Sequence, residues 1–479
     1  MVAKSKRSRL SALDVARRAG VHKDTLLRWL REGKVPEPSR DHRNWRCFSE
    51  EEAARIVRFA ENGETLFPEM EDETVIREIE APYTISPIQT LSNLDWDFAK
   101  AKTTYLTHGI HPYPAKYIPQ IPNALIQELS SVEETVADIF CGSGTTLVEA
   151  LTLKRNAIGV DANPLACLIS RAKTTRLAEG DAEVLRSLIE RGIRQANSIL
   201  AFSVPNLFNE EGFKSEAPRP EHKIIANWFE PYFIEELAEI LSWCRGIASE
   251  TAKTLALTAF SSIVVAVSKQ ESDTRYARVE KNLTHGEAFR KFARALNDIL
   301  RFSEEYTEIV EPRFTCSIIP ADILSKPDIG LVDLVVCSPP YPNAYSYHLY
   351  HASRMIWLGM DQPKFKQEEI GSHRKYSSKS IKGATIETFR QEMSIIFSWL
   401  KLHLRNGKYA CFVIGDSTIK AQRYNNADVL IEAAQPYGFT EVARISRRMQ
   451  DTKKAFNPAI GKIKDEYILI LQKNRSISQ

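Results

Sequence analysis

Two short stretches of this sequence combine residue types able to hold and position a reactive small molecule. In "DIFCGSGTT", Asp138 and Phe140 end an apolar run, and Gly142 and Gly144 let the backbone turn tightly beside a ligand where a helix begins. Asp161 ends the next apolar run, in "GVDANP", where an acidic side chain can accept both hydroxyls of a ribose. Together these residues describe an adenosine site. A dinucleotide site would place a third glycine where Leu147 stands, which argues against NAD. The second stretch, "VVCSPPYPNAY", is an apolar strand that stops at Ser338, Pro339, Pro340 and Tyr341. Two prolines remove two backbone donors and fix two φ angles just where the chain leaves the sheet, so this corner is stiff and tipped by an aromatic ring. A strand-ending turn with an incidental tyrosine is the bland reading of the corner taken alone. Beside the glycine turn and Asp161, in this order, it becomes the minor one.

Such residues need strands whose ends meet. "VADIF" (136–140) followed by "CGSGTTLVEALTLK" reads as strand, glycine turn and helix, and "NAIGVDANP" as the next strand of a βαβ unit. "LVDLVVCSPPY" and "KYACFVIGD" continue the strands, and "EVARISR" with "EYILILQK" predicts a closing antiparallel hairpin. Residues from about 178 to 312 interrupt this rhythm with long helical candidates such as "YFIEELAEILSWCRGIA", an insertion large enough for a lobe of its own. No internal repeat or low-complexity tract is visible.

The chain has 479 residues, enough for two or three domains. Its seven cysteines never form a C-x-x-C pair, so neither a zinc site nor a disulfide framework is suggested, no metal is expected, and a reducing cytosol fits best. No apolar h-region follows the basic N-terminus and no run of about 18 apolar residues occurs, so a cytoplasmic protein that neither is secreted nor spans a membrane is expected. The net charge of +3 hides an uneven distribution: residues 1–48 hold thirteen lysines and arginines against five acids. A basic module on a roughly neutral remainder suits a segment that meets phosphate. Within it, Leu13, Val15, Ala16 and Ala19 form one apolar helix face and Gly20 is placed to end that helix. The next helix, "KDTLLRWLREG", gives Leu26, Leu27 and Leu30 to a core and Lys23, Thr25 and Arg28 to solvent. A basic wing with Arg40 and Arg43 follows, then a third helix capped at Ser49. A helix pair joined by a glycine turn is a helix-turn-helix signature. A small helical module without a ligand is the alternative.

Two family resemblances add to this reading. The stretch from Leu10 to about Val57, with "G-x-x-x-x-T-L-x-x-W" and "N-x-R-x-F-S", resembles the helix-turn-helix of the MerR family. "DIFCGSGTT", "GVDANP", "PADIL" and "CSPPY" resemble the motifs of S-adenosylmethionine-dependent amino-methyltransferases of DNA, over most of residues 105–471. That resemblance implies S-adenosyl-L-methionine as cofactor. It places Asp138, Phe140, Gly142 and Gly144, with Ser143 and Thr145 of the same turn, at the methionine end of the cofactor. Asp161, with Ala162 and Asn163, falls at the ribose, and Asp322 at the adenine amino group. "HPYPAK" resembles the segment that completes the methionine pocket, with His111, Pro114 and Lys116 near the carboxylate; a proline-rich turn tying the domain together is an equal reading. The implied fold is α/β: a Rossmann-like methyltransferase sheet with helices on both faces, an inserted mostly helical lobe, and a small N-terminal all-α winged helix-turn-helix module. The expected organisation is a DNA-binding module at 1–60, a linker at 61–81, the cofactor half at 82–177, the lobe at 178–312 as a candidate target-recognition domain, and the catalytic half at 313–479.

In this setting the corner acquires a task. An exocyclic amino nitrogen is a poor nucleophile because its lone pair is delocalised into the ring, so both N–H hydrogens must be held. The Ser338 hydroxyl can accept one and the Pro339 carbonyl, aimed by the Pro339-Pro340 unit, the other. A base inside a duplex is out of reach and must be flipped, and Tyr341 is placed to stack on it. By resemblance, Ser-Pro-Pro-Tyr points to cytosine N4. Adenine N6, guanine N2 of RNA, and a DNA-binding regulator without catalysis are the alternatives. Cytosine C5 chemistry needs a Pro-Cys pair, which the chain lacks, and Cys337 reads as core packing. Arg275 and Arg278, in "ESDTRYARVEKN", are suited to phosphate and base edges, and "SHRKYSSKSIKG" to a substrate backbone. Double-stranded DNA is the expected partner, and the resemblance implies host-DNA marking beside a restriction or phage-defence nuclease.

Overall fold

Long apolar runs such as "LVVC" and "ACFVIG" belong to strands covered on both faces, and the structure shows how each face is filled. The computed structural model describes residues 10–21, 23–31, 35, 38, 46–62, 86–99, 101–202, 213–343, 345–377, 383–448 and 465–475. The chain divides into two compact units, Met1–Tyr83 and Thr84–Gln479.

In the first unit, strand β1 (Leu10–Ser11) pairs antiparallel with β2 (Cys47–Phe48). Helix α1 (Ala12–Arg18) starts at a capping box between Ser11 and Asp14, and Gly20 follows its end at φ 64°. Helix α2 (Lys23–Arg31) and helix α3 (Glu50–Asn62) complete the unit. Ser49 caps α3: its hydroxyl accepts from Glu52 N at 3.2 Å, and Glu52 Oε2 accepts from Ser49 N at 2.6 Å. Val15, Ala16, Leu26, Leu30, Phe48 and Ile56 form the core. Arg40 and Arg43 of the expected wing lie outside the described residues; of the expected linker at 61–81, residues 61 and 62 continue helix α3 and the rest lies outside the described residues.

The second unit is built on β3 (Thr135–Asp138), β4 (Asn156–Asp161), a hairpin of β5 (Gln270–Ser272) and β6 (Arg275–Arg278), β7 (Cys316–Pro320), β8 (Val332–Cys337), β9 (Leu404–Gly415), a hairpin of β10 (Ser417–Ile419) and β11 (Gln422–Tyr424), β12 (Phe439–Arg448) and β13 (Asp465–Lys473). Seven of these form the central sheet, in the order β12-β13-β9-β8-β3-β4-β7. The strands from β9 to β7 are mutually parallel; β13 and β12 close the sheet antiparallel. Alternate residues go to opposite faces, as the period of two requires. Ala137, Val335, Cys337, Phe412 and Leu469 pack under helices Ile386–His403 and Asn426–Ala434. Val136, Leu334, Val336, Cys411 and Ile470 pack under helices Gln120–Leu129 and Thr145–Thr152.

From β3 the chain adds β4 and β7 on one side, then crosses back to lay β8 and β9 on the other. Where an α/β sheet reverses its strand order, the carboxyl ends of the neighbouring strands leave a crevice. Here that crevice lies between β3 and β8, the strands that end at Asp138 and just before Ser338.

The insertion is helical. Helices Asp181–Phe202, Pro231–Arg245, Glu250–Val264 and Glu287–Ile309 surround Leu185, Leu237, Phe260, Phe289 and Leu296. The same cluster takes in Ala172 and Trp357 from outside the insertion, so its core is continuous with the body within one compact unit. Among the described residues no helix is long and apolar enough to cross a membrane.

Candidate active site

The glycine turn, Asp161, the residue after β7 and the proline corner line one cavity of about 830 Å³. On its cofactor side, Asp138 is buried at the end of β3, where Oδ2 accepts from Thr146 Oγ1 at 2.6 Å and Oδ1 from Phe140 N at 3.1 Å. Burial pushes its pKa up to about 7. Asp161 bridges the two turns: Oδ2 accepts from Gly142 N at 2.8 Å and Oδ1 from Asn163 N at 2.8 Å. Burial raises its pKa to about 6. Phe140, Ser143, Thr145, Ala162 and Asn163 also line the cavity. The Ser143 hydroxyl is buried and has no partner among the described residues, a donor and acceptor left for a ligand. Asp322 lines the cavity after β7 and accepts from Leu324 N at 2.9 Å with Oδ1.

Gly144 does a different job from Gly142. It starts helix Thr145–Thr152 at φ 78° and is not among the lining residues; an added Cβ would stand 3.0 Å from Ser170 Oγ. It lets two helices approach, while Gly142 faces the cavity.

The segment before the sheet is held by Glu149, a buried carboxylate inside helix Thr145–Thr152. Its Oε1 meets the Tyr105 hydroxyl and His108 Nε2, each at 2.6 Å, and its Oε2 accepts from Asn123 Nδ2 at 2.6 Å. This anchor brings Tyr113, Lys116 and Tyr117 to the cavity wall. His111 is not among the lining residues. Its Nδ1 meets Pro112 O at 2.7 Å and its Nε2 meets Ser261 Oγ at 3.0 Å, tying the body to helix Glu250–Val264. Of the two readings of "HPYPAK", the tie describes His111, Pro114 is not among the lining residues, and Lys116 lines the cavity with Nζ donating to His108 O at 2.9 Å.

On the other side, Ser338, Pro339, Pro340 and Tyr341 face the same space. The Tyr341 hydroxyl donates to Glu466 Oε1 at 2.8 Å. Gly371, at φ 73°, braces the corner from behind: a Cβ there would stand 2.8 Å from the Tyr341 carbonyl oxygen. Cys337 is fully buried beneath the corner, and burial pushes its thiol pKa well up, so it packs rather than reacts.

Several lining residues had no motif to announce them. Tyr113 stacks on His351 at 5.2 Å and on Tyr347 at 5.9 Å between ring centroids, with Tyr345 at 5.8 Å from Tyr347. The aromatic spacing of "NAYSYHLYH" was the available signal for two of them. Arg447 and Glu466 come from β12 and β13. Arg275 and Arg278 are exposed on β6, next to Thr274 at the cavity rim, and pair with Glu271 at 2.9 Å and Glu280 at 3.8 Å. In the first unit Thr25 is half-buried and Arg28 exposed on α2, which also carries Lys23; Arg40 and Arg43 are outside the described residues. Among the described residues no group of three or more His, Cys, Asp or Glu is placed to hold a metal ion.

The chain matches a DNA methylase family model over residues 41–171 and a MerR helix-turn-helix family regulatory protein model over residues 10–61. It is 34% identical over 155 residues to the Type II methyltransferase M.MjaII of Methanocaldococcus jannaschii, covering 31% of this chain and 27% of that protein. It is 31% identical over 179 residues to the Type II methyltransferase M.MvaI of Kocuria varians, covering 37% of each chain. The chain thus spans 27% and 37% of the length of these two curated relatives. Among solved structures, a TehB-like SAM-dependent methyltransferase from Corynebacterium glutamicum aligns over 74% of this chain and 87% of its own at 8% identity, with a TM-score of 0.26. The matched DNA methylase segment contains the glycine turn and Asp161, and S-adenosylmethionine is the cofactor that this half of the cavity fits.

Proposed function

We propose that this chain is a DNA methyltransferase acting on the exocyclic amino group of a flipped base, with cytosine N4 as the target. The observation that carries the reading is that the proline corner (338–341) and the glycine turn with Asp161 open into one cavity, on neighbouring strands at the sheet's reversal point. When bound, S-adenosylmethionine supplies an electrophilic methyl group. Asp161 accepts from the ribose, Asp322 from the adenine amino group, and Ser143 with Lys116 serves the methionine end. Ser338 Oγ and the Pro339 carbonyl each accept one hydrogen of the target amino group, so that its lone pair is directed at the methyl carbon. The rigid prolines aim the Pro339 carbonyl in advance, and Gly371 braces the corner just after it, at the Pro340 and Tyr341 carbonyls. Tyr341 and the tyrosines at 113, 345 and 347 supply aromatic faces for a base out of its stack.

DNA as substrate rests on the matched methylase segment and on the basic first unit, which we take as a DNA-binding helix-turn-helix with Lys23, Thr25, Arg28, Arg40 and Arg43 toward phosphate. Arg275 and Arg278 are assigned to the target duplex on the same grounds of charge and position beside the cavity. A cognate restriction or phage-defence nuclease is the partner this activity calls for.

Purified protein with labelled S-adenosylmethionine is expected to label unmodified duplex DNA, and nucleoside mass spectrometry to return N4-methylcytosine. N6-methyladenine alone would move the target to adenine, and label only on RNA would overturn the DNA reading. Removing residues 1–60 is expected to weaken DNA binding and to flatten its salt dependence, the logarithmic slope falling by about one for each phosphate that is no longer neutralised. Unchanged binding would assign the first unit to another partner.

A further inference from the structure

Arg447 and Glu466 stand opposite each other on β12 and β13, both buried and both lining the cavity. Both carboxylate oxygens of Glu466 are engaged: Oε1 accepts from the Tyr341 hydroxyl at 2.8 Å and Oε2 from Arg447 Nη1 at 3.1 Å. The guanidinium is therefore clamped from one side. Its Nε is buried and has no partner among the described residues. A cross-strand pair that served stability alone would gain little from burying two charges, and a buried donor without an acceptor is costly. Such a donor is satisfied when a ligand brings an acceptor into the cavity.

The sheet order says which ligand. Cofactor residues follow β3, β4 and β7, whereas β9, β13 and β12 lie on the other side of β8, the strand that delivers Ser338. Arg447 thus stands beyond the corner, on the side away from the cofactor turns, where the base must sit if Ser338 is to touch its amino group. We propose that Arg447, held by Glu466, is a specificity-determining residue whose Nε–H donates to the flipped base at the second position along the ring edge from the amino group. This rests on the methyltransferase reading above. Next to its amino group cytosine offers two successive acceptors, N3 and O2, while adenine offers N1 and then an apolar C2–H. A donor fixed at the second position meets O2 in cytosine and C2–H in adenine, and so favours cytosine.

The test compares the full chain with Arg447→Lys, Arg447→Met and Glu466→Gln in three readouts: calorimetric affinity for S-adenosylmethionine, methyl transfer to unmodified genomic DNA, and the identity of the methylated nucleoside. Both Arg447 variants are expected to lower kcat/KM for DNA on the order of tenfold to a hundredfold. Their cofactor affinity is expected to stay within about twofold, and the share of methyl on adenine to rise. Glu466→Gln, whose single amide oxygen replaces one of the two acceptors that Tyr341 and Arg447 use, is expected to fall between these and the native protein. Native rates and native nucleoside ratio in Arg447→Lys would overturn the proposal. So would a drop in transfer matched by an equal drop in cofactor binding, which would make the pair part of the wall. If the native protein puts no methyl on DNA, the functional reading fails and the base-reading role with it; an active native protein with an unaffected Arg447→Lys sinks only the role.

Discussion

The two halves of the cavity are built by different means. The cofactor half is backbone turns: residues 138–145 are a single stretch, residues 161–163 another, and Asp161 stitches them by accepting from Gly142 N and Asn163 N. The target half is side chains gathered from afar. Tyr113, the corner, Gly371, Arg447 and Glu466 come from five separate places in the chain. Local geometry suffices to wrap a cofactor common to many enzymes, whereas the wall proposed to select one base is assembled by tertiary packing.

The sharpest way to separate the halves is a pair of substitutions. Ser338→Ala is expected to lower methyl transfer on the order of a hundredfold while leaving cofactor affinity within about twofold, since on the proposed reading it removes an acceptor for the target amino group. Asp161→Ala is expected to do the reverse, weakening the cofactor by about tenfold or more because two turn amides also lose their acceptor. Titration calorimetry and initial rates on the same preparations decide it. If Ser338→Ala transfers methyl at the native rate, the corner is a turn and nothing more.

A smaller effect is expected at the brace. Gly371→Ala puts a Cβ 2.8 Å from the Tyr341 carbonyl oxygen at a positive φ, so the corner has to shift. Turnover is expected to fall about tenfold and stability by about 1–3 kcal/mol, with the cofactor half untouched. Full turnover with a lowered Tm would confine Gly371 to stability.

The smallest effect concerns protons. Burial raises Asp138 to about 7 and Asp161 to about 6, above the ordinary carboxylate value. The free protein therefore takes up protons as the pH falls, and the stability these groups contribute is present at acid pH and lost as the pH rises through 6 and 7. A cationic ligand favours the ionised forms, so its affinity runs the other way. Binding of S-adenosylmethionine is expected to strengthen as the pH rises from about 5.5 to 8, by at most about tenfold per unit for each proton displaced. Asp138→Asn removes the part of that rise centred near 7. A flat profile would mean that neither carboxylate meets positive charge.

The order of the motifs along the chain made the α/β character legible, and the turn itself was legible because a Gly142 turn at a strand end is a local matter. Gly144 carried the right letter for a different reason, its close approach to Ser170. His111 was harder: a histidine in a proline-rich segment has no local property that separates a cofactor contact from a clamp on Ser261, a residue 150 positions away. Arg447 and Glu466 could not be paired by reading alone, since only the register of β12 against β13 sets them opposite each other.

The strands, the glycine turn, Asp161 and the stiffness of the proline corner follow from the order of residues without help from the fold, because φ restriction, period-two burial and turn chemistry act within a few residues. It took the folded chain to put the corner and the turn in one cavity, and to tie the Tyr341 hydroxyl through Glu466 to Arg447. Those outcomes depend on strand order and register, which bring together groups that no local rule connects.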